Sequence, residues 1–78
     1  MQKPDFSILI HDIRIQLGLS QEAMAHEFGV SFATINRWEN GKALPSNLGI
    51  AHFKSHCEKL IDMGKLIMPA SGVLLLKQ

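Results

Sequence analysis

The stretch SQEAMAHEFGVSFATINRWENG, running from Ser20 to Gly41, decides how this chain folds. It reads as two short helices separated only by Gly29-Val30-Ser31. Ser20 and Ser31 each precede a helical run, where a hydroxyl can accept from the unbonded amides of the first turn. Glu22 lies in such a first turn, where the positive end of the helix dipole favours a carboxylate. Gly29 and Gly41 stand where the two helices must stop, and glycine enters a left-handed cap at low cost. Ala25 sits where the pair would cross, and a larger side chain there would push the helices apart. Met24, Phe28, Val30, Ile35 and Trp38 are the side chains such a pair would bury, and all are apolar.

Working outward, Phe6, Leu9, Ile10, Ile13 and Leu17 recur at helical spacing, which predicts a first helix over about Asp5 to Leu17. Asp5 is its expected cap and Gly18 its stop. Beyond Lys42 to Pro45, Ser46 can cap a fourth helix. Its stripe is Ile50, Phe53, Cys57, Leu60 and Ile61, ending near Met63. Gly49 leaves open a break of that segment into two helices. The expected fold is therefore all-α, a bundle of four or five helices. Residues 1–63 form the domain and 64–78 an extension. In that extension Pro69-Ala70-Ser71-Gly72 interrupts any helix, and Val73-Leu74-Leu75-Leu76 is a short apolar run suited to a strand or a dimer contact.

Composition narrows the functional classes. With 46% hydrophobic and 19% charged residues the 78-residue chain is globular rather than disordered. The single cysteine, Cys57, excludes an internal disulfide framework and fits a reducing, cytoplasmic setting. The early apolar run Ile8-Leu9-Ile10 ends at His11-Asp12, too short for a signal core or a membrane span. No nucleophile–base pair, phosphate-cradling loop or paired carboxylate site stands out, so neither an enzyme nor a cofactor is expected. His52 and His56 are one helical turn apart, near Cys57, but a structural zinc site needs four ligands, and no metal is expected. The net charge of only +1 is weak support for a nucleic-acid partner. Pattern must carry that reading.

A two-helix unit on a tight glycine-containing turn is the DNA-binding helix-turn-helix. At about 100° per residue, Phe32, Ala33, Asn36, Arg37 and Asn40 spread over roughly 140° of the third helix. Ile35 and Trp38 point to nearly the opposite side. Large apolar anchors thus fix one face inward, and the other suits entry into a major groove. Gln21, at the start of the second helix, would lie against phosphate.

The chain resembles the Cro/CI-type, lambda-repressor-like helix-turn-helix family. The likeness rests on Leu19-Ser20-Gln21-Glu22, Ala25, Gly29-Val30-Ser31, Thr34-Ile35, Trp38-Glu39-Asn40-Gly41-Lys42 and Pro45-Ser46. It spans about Ile13 to Leu60, and Arg14 to Leu19 is similar to the end of the first helix in small phage repressors. The resemblance implies that Phe32, Ala33 and Arg37 read bases, while Thr34, Asn40 and Lys42 approach the backbone. It implies that Gln21 contacts phosphate and braces the first reading residue, and that Arg14 and Glu39 form a salt bridge. Where such repressors often carry glutamines, this chain has Phe32 and Ala33. Readout is therefore expected to lean on thymine methyl groups, with Arg37 on guanine and Asn36 on adenine.

The function that follows is sequence-specific binding of double-stranded DNA, as a transcriptional repressor or regulator acting as a homodimer on a two-fold operator. Two other readings stand beside it. One is an antitoxin or adaptor that binds a toxin or other protein through the fourth helix and tail. The other is the DNA-targeting domain of a restriction-modification system.

Overall fold

A computed structural model describes residues 2–72 of the chain. Four helices are present, α1 (Lys3–Leu17), α2 (Gln21–Phe28), α3 (Phe32–Glu39) and α4 (Asn47–Asp62), followed by a 3₁₀ turn at Ala70–Gly72. The fold is all-α, with no strand among the described residues. No helix there is long and apolar enough to cross a membrane. The run Val73 to Leu76, read above as a strand or a dimer contact, lies outside the described residues.

Serine hydroxyls start three of the four helices. Ser20 Oγ accepts from the Ala23 amide at 3.0 Å, Ser31 Oγ from Thr34 and Ser46 Oγ from Gly49, both at 3.1 Å. Such a cap contributes about 1 kcal/mol. The first helix departs from expectation: it begins at Lys3, with Gln2 rather than Asp5 at the cap and no side-chain cap bond. Pro4 is tolerated in this first turn because its missing N–H would have had no partner there. Asp5 instead sits inside the turn, facing the dipole.

Gly29 adopts φ 69°, and its N–H and that of Val30 return to the carbonyls of His26 and Ala25 at 3.3 and 2.9 Å. This double closure lets α3 start two residues later. At Gly49 the outcome differs from the break left open by the sequence, because α4 runs through it unbroken. A Cβ at that position would come within 3.1 Å of Pro45 Cβ and 3.3 Å of Ser46 Oγ. Glycine there lets the capping segment lie close to the helix.

The core takes residues from every helix: Phe6, Leu9, Ile10 and Ile13, then Met24, Ala25 and Phe28, then Ile35 and Trp38, then Phe53, Cys57 and Leu60. Phe6 joins three helices, edge-on to Trp38 at 5.5 Å and to Phe53 at 5.2 Å, while Phe53 stacks on Phe28 at 5.1 Å. Each ring pair adds about 0.5–1.5 kcal/mol beyond its buried area.

The segment after α4 folds back onto α1. Leu66 is 2% exposed and joins the core. The Gln16 side-chain amide donates to the Ile67 carbonyl at 2.8 Å and accepts from the Ile67 N–H at 2.6 Å. Gly72 lies so close to α1 that a Cβ would stand 2.7 Å from Leu9 Cδ1.

Candidate nucleic-acid interface

Every expected site residue falls on α3, on the turn that follows it, or on the helices bracing it. Ile35 is fully buried and Trp38 is 8% exposed, so together they fix the rotation of α3 about its axis. On the outer side Phe32 is 52% exposed, and Ala33, Arg37, Asn40 and Lys42 are exposed with it. Two rows result from the i, i+4 geometry, Phe32–Asn36–Asn40 and Ala33–Arg37. The Arg37 and Lys42 side chains have no hydrogen-bonding or ionic partner among the described residues. They are free to meet an incoming anion or base edge.

Asn36 and Thr34 are less free. Asn36 is half-buried; its Nδ2 donates to Gln21 Oε1 at 3.1 Å and its Oδ1 accepts from Asn40 Nδ2 at 3.0 Å. The Thr34 hydroxyl lies 2.9 Å from Ser31 Oγ. Gln21 does brace a residue of α3, but that residue is Asn36. The first residue of the helix, Phe32, has no polar atom on its side chain to hold.

Behind this row lies an ion pair. Arg14 Nε donates to Glu39 Oε2 at 2.7 Å and Arg14 Nη2 to Glu39 Oε1 at 3.0 Å, a two-pronged contact between α1 and α3. Arg14 Nη1 also donates to the Leu19 carbonyl at 3.0 Å, fastening the α1–α2 turn. His11 Nδ1 lies 3.1 Å from Glu39 Oε1. Glu39, with its side chain only 6% exposed, would have its pKa raised by burial. Hydrogen bonds from Arg14 and His11 and the nearby guanidinium charge outweigh this and hold it below the ordinary value. The same hydrogen bond raises the Arg14 guanidinium against a smaller cost of burial. The Arg14–Glu39–His11 cluster thus ties α1 to α3, and the Gln21–Asn36–Asn40 row ties α2 to α3. These contacts hold α3 in position and leave Phe32, Ala33 and Arg37 on its outer side uninvolved.

His11 was not singled out from sequence, although its i, i+3 spacing to Arg14 on α1 was a usable signal. The side chains considered for metal diverge. His52 lines an apolar groove of about 130 Å³ with Phe28, Trp38, Pro45 and Phe53. His56 packs its ring on Phe28 at 4.6 Å, with Nε2 3.5 Å from Glu27 Oε1, an ion pair only when the imidazole is protonated. Cys57 is buried in the core, and burial pushes its thiol up to about 12. No group of three or more ligating side chains is gathered among the described residues.

Comparison with known proteins adds two findings. Residues 10–47 match the family model described as helix-turn-helix. The chain is also 40% identical to the Type II methyltransferase M1.ScrFI of Lactococcus lactis subsp. cremoris, over 60% of this chain and 13% of that protein. The chain therefore spans only a small part of this relative. No solved structure matches.

Proposed function

Residues 10–47 belong to the helix-turn-helix family, and on that premise we propose that the chain binds a specific double-stranded DNA sequence and represses transcription there as a homodimer in the cytoplasm. The observation that carries this reading is the split of α3, with Ile35 and Trp38 buried beneath it and Arg37 outside without a partner among the described residues. A helix so held, capped at its start by Ser31, suits insertion of its outer face into a major groove. Arg37 reads guanine through its paired donors, with Phe32, Ala33 and Asn36 beside it on the base edges. Gln21, Thr34, Asn40 and Lys42 flank that face and take the phosphates, which set register rather than sequence.

One module with a net charge of only +1 holds DNA weakly. Two modules on half-sites about one helical turn apart supply the missing affinity, which favours a dimer on a two-fold site. The test is selection of bound duplexes from a random library, followed by transcription from a promoter carrying the selected site. A palindromic motif that lowers transcription supports the reading. The absence of any enriched motif overturns it.

A second reading has a specific observation in its favour. The similarity to a Type II methyltransferase over a small part of that protein suits a module that targets a restriction-modification system to its DNA. In that case a selected site would be bound yet leave transcription unchanged.

A further inference from the structure

We propose that the first turn of α3 reads the C5-methyl group of a pyrimidine, so that the chain prefers DNA carrying thymine or 5-methylcytosine at that step over uracil or plain cytosine. This rests on the DNA-binding reading above and specifies its ligand. Phe32 opens α3 at 52% exposure, and Ala33 beside it is exposed. The Phe32 ring is absent from the aromatic cluster of Phe6, Phe28, Trp38 and Phe53 and from the partly buried side chains packed on the core. An outward ring with no packing role among the described residues is available to a partner.

The polar groups nearby narrow what that partner presents. The Thr34 hydroxyl is engaged with Ser31, and the Asn36 amide donates to Gln21 and accepts from Asn40. The leading turn therefore offers apolar surface where a hydrogen-bonding reader would sit, and the first polar side chain without a partner among the described residues is Arg37, more than one turn further on. In the major groove the apolar feature of the base edges is the thymine methyl. Cytosine carries a hydrogen at the same ring position, and methylation there presents the same group to the same ring.

The experiment uses the full chain and a duplex selected by it. Each thymine of a half-site is replaced in turn by uracil, and a cytosine pair is compared with a 5-methylcytosine pair at the most sensitive position. Both comparisons alter a methyl and leave the hydrogen-bonding edge unchanged. The expected result is about fourfold weaker binding without the methyl, the effect of burying one such group. In Phe32→Ala, whose fold is checked by thermal unfolding, that difference should vanish. Equal binding of thymine and uracil duplexes at every position, with specific binding intact, overturns the inference and spares the DNA reading. A methyl preference that survives in Phe32→Ala overturns the assignment to this residue. Failure to bind any duplex removes the DNA reading and this inference together.

Discussion

The two sides of α3 differ in how many partners each residue has. On the inner side Ile35, Trp38 and Glu39 are held by packing or by hydrogen bonds that reach α1. On the outer side Phe32, Ala33 and Arg37 touch little of their own protein. The inner side decides where the helix is, and the outer side decides what it meets. Substitutions should separate accordingly into those that unfold and those that change binding.

The largest effect is expected from Trp38→Ala, which removes a ring packed edge-on to Phe6. It should destabilise the domain by about 3–5 kcal/mol in urea titration. DNA binding should then be lost only in proportion to the unfolded fraction. Next comes Glu39→Ala, which strands the Arg14 guanidinium in a largely enclosed site, side chain 16% exposed, at a cost of about 3 kcal/mol. If instead stability fell by less than 1 kcal/mol, roughly the value of an exposed pair, the cluster would not be what holds α3.

The same carboxylate predicts a pH dependence. Its folded pKa lies below the ordinary 4.5, so the unfolded chain binds the proton more tightly. The contribution is therefore fully present above that ordinary value and is lost as pH falls through the depressed folded one. Urea midpoints measured from pH 6 down to 3 should fall more steeply in the natural chain than in Glu39→Gln. Parallel curves would count against the cluster.

On the outer side, Arg37→Ala should leave stability within about 0.5 kcal/mol and weaken binding to the selected site by about 1–3 kcal/mol, with relaxed choice at one base pair. The smallest effect is expected at Lys42. Alanine there should weaken binding evenly across sequences and lower the slope of log affinity against log salt by about 1. A change in sequence preference would move Lys42 from the phosphates to the bases.

What could be read in advance followed the same division. The spacing of Ile35 and Trp38 against Phe32, Ala33 and Arg37 is a helical period, so the two faces were visible in the residues alone. Ser20, Ser31 and Ser46 were legible because a cap is a local device. The start of α1 was set at Asp5, because an acidic residue suits a cap and a first turn alike, and Gly49 left a break open, since a glycine beside a cap is an exception granted by position. Long-range pairings were hidden. Nothing periodic connects Gln16 to Ile67, and the reach of Gln21 to Asn36 depends on how α2 crosses α3. Leu66 was passed over because a lone leucine beyond a helix carries no pattern.

Cys57 gives the molecule a built-in clock. It is the chain's one cysteine, its sulfur is sealed among helices, and its high pKa keeps it in the unreactive thiol form. A maleimide or disulfide reagent can reach it only when the bundle opens. The rate of labelling then reports the open fraction directly. Duplex added at saturating concentration should slow that rate in proportion to how strongly it favours the closed form, so one buried sulfur atom reports DNA affinity without touching the duplex.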